Sequence, residues 1–304
     1  MTDYRPLLTA VAVPRLAGTP SHARVRERLK AELSARGFVV MEHHFTGRSL
    51  LYRFARAPLA GVNLIGVRPR GRVTTWLVAH YDSKGQPLSM AARLGAATLV
   101  ALGALELLGL ALRGVIGSLH PGLADACLGG AAVIGVLLLA ANRVTDGSAG
   151  AVDNASGVVA ALAVVDAIAP EVGVGVGVIL PDAEEYGLVG ARALVRERAN
   201  LFSDTTVVNF DGIDDRGGTI AFIHRPGPAV DKVAASLAGR RARWLPVLVD
   251  GLVLAGAARE AVTIMRGDWD TARVVHTRRD SAQRLTLAGV RTVVEGVARA
   301  LTQV

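Results

Sequence analysis

The chain has 304 residues, 51% hydrophobic and 20% charged, with a mean hydropathy of +0.38. That length carries one large domain or two modest ones, and with aromatics at only 4% the apolar content is mostly Ala, Val and Leu. The net charge of +8 comes mainly from scattered arginines with no aromatic-interleaved basic stripe, so no nucleic-acid partner is expected.

Taken from the N-terminus, residues 7–13 come nearest to a signal-peptide core. The run is short, broken by Thr9 and ended by Pro14, so export is not expected. Residues 22–36 predict an amphipathic helix, with Val25, Leu29 and Leu33 at four-residue spacing, Ser21 as N-cap and Gly37 as its stop. Short strands are predicted over 38–40, 50–54, 62–67 and 73–79, the last ending at His80.

Residues 94–112 are then apolar with one charge, Glu106, and residues 126–141 are apolar with none. As helices they span about 28 Å and about 24 Å, against a hydrocarbon core of about 30 Å. The second reaches across only if 121–125 are drawn in. Gly95, Gly103 and Gly109 in one run, and Gly129, Gly130 and Gly135 in the other, predict close helix packing. Residues 94–141 are therefore expected to enter a membrane as a two-helix hairpin. Lys84, Arg93 and Arg143 flank its open side and only Arg113 its tip, which puts the rest of the chain on the cytoplasmic side. The single cysteine, Cys127, lies in the second run, which excludes an internal disulfide and a cysteine zinc site.

Beyond the hairpin, 156–168 and 190–198 predict helices, 172–180, 206–210 and 260–265 predict strands, and 285–301 predicts a closing helix. Glycines at 173, 175 and 177 fall inside the predicted strand and not at a strand-to-helix turn. They read as sites of close approach by another layer instead of a phosphate loop. Alternating strands and helices predict an α/β three-layer sandwich with a mixed, mostly parallel sheet. The expected division is a discontinuous domain of residues 1–85 and 144–304, with the hairpin inserted over 86–143.

Any metal must be held by His and carboxylate. The chain offers His80, Asp153, Glu184, Glu185, Asp211 and His276, most at or near predicted strand ends or turns, where α/β sheets collect functional groups. Taken singly, Asp153 also reads as a helix cap and Glu184-Glu185 as a solvated turn. Asp182, His224, His43, His44, Asp214 and Asp215 read as surface or loop residues.

The ordered blocks His80-Tyr81-Asp82-Ser83, 150–157, 182–187, 209–212 and 276–281 closely resemble the di-zinc aminopeptidase family that includes glutamate carboxypeptidase-like enzymes. The resemblance extends over residues 14–20, 61–66 and 250–263. It implies a zinc exopeptidase with two zinc ions acting on a peptide substrate. His80 and Asp211 would bind one zinc, Glu185 and His276 the other, and Asp153 would bridge them. Glu184 would be the general base and Asp82 would orient His80. The related alternatives are a single-zinc glutaminyl cyclase and an inactive membrane-bound binding protein of the same fold. Val253 and Leu254 stand where the family has an aromatic residue, which leaves substrate preference open.

Overall fold

The structure is a computed structural model that describes residues 2–49, 58–69, 71–117 and 120–302. In chain order its helices are α1 (Arg5–Val11), α2 (Pro20–Ala35), α3 (Met90–Val115), α4 (Leu123–Ala141), α5 (Ser156–Ala167), α6 (Pro170–Gly173), α7 (Val189–Arg198), α8 (Pro228–Ser236), α9 (Asp250–Leu254), α10 (Trp269–Val274) and α11 (Ala288–Thr302). The strands are β1 (Val39–Gly47), β2 (Leu59–Val67), β3 (Thr75–Val78), β4 (Val176–Leu180), β5 (Thr206–Ile213), β6 (Gly218–Arg225), β7 (Arg240–Ala242) and β8 (Glu260–Gly267).

The described strands form one eight-stranded sheet in the order β1-β2-β4-β3-β5-β8-β6-β7. Its centre, β4-β3-β5-β8, is parallel throughout, and antiparallel pairs flank it. Successive side chains on a strand point to opposite faces, and both faces are covered. Leu77, Val178, Val208 and Val262 pack with α2, α5 and α11 on one side. Trp76, Val78, Ile179, Val207 and Ala261 pack with α7 and α9 on the other. Helix α5 has no polar side from Ser156 to Val165 because that stretch lies buried between the sheet and α11. The architecture is the expected three-layer α/β sandwich.

Several local expectations change. The N-cap of α2 is Thr19, whose hydroxyl accepts from His22 N at 3.3 Å. Pro20 fits the first helical position because it has no N–H to leave unpaired, and this puts Ser21 inside the helix. Strand β4 starts only at Val176, because Pro170 opens the helical turn α6. Gly177 is approached by its cross-strand partner Trp76, within the sheet and not from another layer; a Cβ there would collide with the indole ring. Strand β5 runs past Asp211 to Ile213. Residues 50–54 lie outside the described residues.

Helices α3 and α4 pack on one another and are long and apolar enough to cross a membrane by length and composition. Leu105, Leu107 and Leu137 are more than 60% exposed on them. Glu106 pairs with Arg113 at 2.6 Å within α3, and Arg113 also reaches Asp125 of α4 at 2.7 Å, so the one mid-run charge has a partner and the same arginine links the two helices. Of the six glycines expected at the seam, Gly103 and Gly135 are in it. A Cβ on Gly95, Gly109, Gly129 or Gly130 would meet nothing within 4 Å. The two ends of the excursion are joined by an antiparallel bridge, Gly85 N to Thr145 O at 2.6 Å and Thr145 N to Gly85 O at 2.8 Å.

Candidate metal centre

Parallel strands share one C-terminal edge, and the sequence loads it with polar groups. His80 follows β3, Glu184 and Glu185 follow β4, and Asp211 lies near the end of β5. His276 follows α10, beyond β8. Asp153 arrives from the turn that leads into α5. Asn154 anchors that turn, donating to Phe210 O at 2.8 Å and accepting from Gly157 N at 3.2 Å. Asp153 makes no capping bond, so its cap reading falls away. Ala183 (φ +56°) and His276 (φ +67°) hold left-handed backbone, a conformation costly for residues with a Cβ and concentrated at functional sites.

All six residues converge. His80 Nε2 is 3.1 Å from Asp153 Oδ1 and 4.0 Å from Asp211 Oδ1. His276 Nε2 is 2.9 Å from Asp153 Oδ2 and 3.1 Å from Glu185 Oε1. The two carboxylate oxygens of Asp153 thus face two different triads, His80/Asp153/Asp211 and Asp153/Glu185/His276. Tetrahedral ligands at about 2.1 Å from zinc stand about 3.4 Å apart, a value these distances bracket. His80 Nε2, His276 Nε2 and Glu185 Oε1 are buried and have no hydrogen-bond partner, as groups reserved for a cation should be. The donor set fits zinc.

The electrostatics point the same way. Burial, reinforced by Glu185, Asp211 and Asp250, raises Glu184 well above the usual carboxylate range. Asp211 is raised likewise by burial and by Asp153 and Asp250. Burial alone would raise Glu185, but His276 and Lys84 outweigh it and hold Glu185 at about 2. Acids so crowded need a positive counter-charge, which protons or a divalent ion supply.

A supporting layer surrounds the triads. Asp82 accepts from Glu184 N at 3.1 Å and Glu185 N at 3.2 Å, and its Oδ1 is 3.4 Å from His80 Nδ1. It therefore sets the turn carrying both glutamates as well as facing the histidine. Asp280 accepts from Val152 N at 2.7 Å and Asp153 N at 3.3 Å.

Other groups at the site escape sequence reasoning. Lys84 Nζ is 2.7 Å from Glu185 Oε2, which leaves Oε1 for the triad. Arg93, from the first turn of α3, contacts His276 Nδ1. Buried Arg15 donates to Tyr81 O at 2.6 Å and Gly150 O at 3.0 Å, fastening the His80 block to the Asp153 turn. Asp250 is fully buried with neither oxygen hydrogen-bonded. Burial, with Asp82 and Glu185, pushes it up to about 7 against the pull of His80. Its burial at the head of α9 is the one signal, and a lone Asp in a short turn does not reveal that.

The residues set aside stay away from the triads; His44 is the exposed surface group expected, but not all of them are. Asp182, Asp214 and His43 are buried. Asp182 pairs with His22 at 2.9 Å and accepts from Tyr81 Oη at 3.1 Å. Asp214 accepts from Thr271 Oγ1 at 2.8 Å. They satisfy buried polar partners.

A cavity of about 460 Å3 opens onto Asp153, Glu184, Glu185, Asp211 and His276. Its other walls are largely apolar, including Met90 and Leu94 of α3, Leu245, Val247 and Leu248.

Sheet order, layers and the polar strand edge define a protein of the zinc-exopeptidase fold. Solved structures share it. A glutaminyl cyclase from Fimbriiglobus ruber superposes with a TM-score of 0.61 at 18% identity, covering 98% of this chain and 92% of that one. A Zn-dependent exopeptidase from Parabacteroides distasonis gives 0.60 at 14%, covering 99% and 96%. A zinc aminopeptidase from Bacillus subtilis gives 0.61 at 11%, covering 98% and 93%. Among curated proteins, none matches the sequence. Residues 63–301 match peptidase family M28, and the chain belongs to that family.

Proposed function

We propose that this protein is a membrane-anchored, zinc-dependent aminopeptidase that removes N-terminal residues from short peptides. The observation that carries the reading is the pair of buried triads sharing Asp153. On this reading His80 and Asp211 would hold one zinc and Glu185 and His276 the other, with Asp153 offering one oxygen to each group. Bound zinc acidifies a water and polarises the scissile carbonyl. Glu184, which lines the same cavity, takes a proton from the attacking water and gives it to the departing amine. Cations held by these ligands would oppose the upward push of burial on Glu184. Asp82 positions Glu184 and Glu185 through their backbone N–H groups.

Residues 1–85 and 144–304 form the catalytic domain in this reading, and 86–143 the anchor. The basic open side of the hairpin favours a catalytic domain facing the cytoplasm.

Glu184→Gln is expected to abolish release of N-terminal residues from aminoacyl peptides while metal content, read by elemental analysis, stays at the wild-type level. Retained turnover would remove Glu184 as the base, and protein purified without chelator but free of metal would sink the site. The likeness to glutaminyl cyclases supports a second reading, cyclisation of an N-terminal glutamine with one zinc. The second triad favours hydrolysis. Metal stoichiometry and product mass separate the two.

A further inference from the structure

Two of the three tryptophans are exposed, Trp244 by 78% and Trp269 by 57%, whereas Trp76 is buried. A single exposed aromatic is ordinary, so what matters is where these two lie. Neither lines the cavity of the metal centre, but each adjoins a segment that does. Trp244 leads directly into 245–249, which line that cavity, and Leu248 among them is 53% exposed. Trp269 opens α10, whose Thr271 and Ala272 line it too, and α10 packs against α3. Part of another wall, made by Met90, Arg93 and Leu94, is the base of α3, where the apolar hairpin leaves the body of the protein. Exposed arginines accompany these groups: Arg243 precedes Trp244, and Arg278 and Arg279 follow His276.

An indole is amphipathic and favours the boundary between headgroups and acyl chains. A basic residue near an anionic leaflet adds electrostatic attraction. The rim therefore combines the two residue types that a lipid surface recruits, beside a helix whose length and composition suit the bilayer. We propose that Trp244, Leu248 and Trp269, with Arg243, Arg278 and Arg279, seat the mouth of the metal cavity in the headgroup layer of an anionic membrane. The partner is the bilayer surface itself. This rests on the anchor reading above, because the hairpin fixes which side of the protein meets the lipid.

The test uses the full chain in vesicles of phosphatidylcholine and phosphatidylglycerol in equal parts, with bromine on the acyl chains near the headgroup. Bromine quenches only indoles within reach. Wild-type emission is expected to be quenched strongly, Trp244→Phe and Trp269→Phe each to lose part of the quenchable signal, and the double variant to keep only the unquenched emission of Trp76. Flotation and protease protection of residues 94–141 are read on the same samples. A protected hairpin with no quenchable signal from Trp244 and Trp269 overturns the rim proposal and leaves the anchor standing. Protein that fails to float refutes the anchor, and the rim proposal falls with it.

Discussion

Asp82 makes no direct claim on a metal, yet three groups of the centre depend on it. Its two oxygens fix the N–H groups of Glu184 and Glu185, and one stands beside His80 Nδ1. Asparagine keeps the shape but offers one acceptor instead of two and no charge. Asp82→Asn is therefore expected to weaken metal binding about 10–100-fold, the usual effect of losing an outer-shell partner, as read by competition with a chelating dye. Unchanged affinity would leave Asp82 a purely structural group.

His224 offers a test of stability away from the centre. Burial lowers its pKa from 6.5 to about 4, and its Nε2 engages Thr263 Oγ1 at 2.7 Å. Between those values the unfolded chain binds a proton that the folded chain refuses. The stability His224 contributes is thus complete above pH 6.5 and lost as pH falls towards 4. Urea midpoints of His224→Asn should fall less between pH 7 and pH 5 than those of wild type; equal slopes would refute the assignment. At this scale the ligands were legible because His and carboxylate at strand ends carry an order. Arg15, Lys84 and Arg93 were not, since each acquires its role from a partner far away in sequence, and Asp250 was not, since only the fold buries it.

Elements were readable where one side of the chain is apolar and obscure where the environment is mixed. Strand β1 runs to Gly47, although 41–47 look polar, because an edge strand buries only alternate residues such as His43 and Phe45. In the hairpin, composition revealed two helices but not which glycines touch. A Cβ on Gly135 would lie 2.7 Å from Ala96 O and 3.0 Å from Val100 Cγ2, so a longer side chain must part the helices near their base. Gly135→Leu is expected to destabilise the hairpin by about 1–3 kcal/mol, and Gly129→Leu, which meets open space, to be neutral. Thermal unfolding in detergent distinguishes them; equal loss in both variants would mean the seam is elsewhere.

At the scale of the whole molecule, the metal centre is assembled from segments on both sides of the hairpin, yet nothing in the triads comes from it. The two ends are already held by the Gly85–Thr145 bridge and by Arg15. The base of α3 differs from the rest, since Met90, Arg93 and Leu94 wall the cavity. Ala96 and Gly135 face one another across the seam, so removing 97–134 and joining these ends with a few glycines keeps that wall and deletes only the apolar excursion. The shortened chain is expected to retain wild-type metal content and to leave the membrane fraction at high salt. At low salt it should still bind vesicles rich in phosphatidylglycerol, through the exposed arginines and tryptophans, and not vesicles of phosphatidylcholine alone, because exposed charges are screened beyond about 10 Å at 0.1 M salt. Loss of metal on shortening would show that the excursion holds the centre together, and insensitivity to both salt and lipid charge would leave the arginines no part in membrane contact.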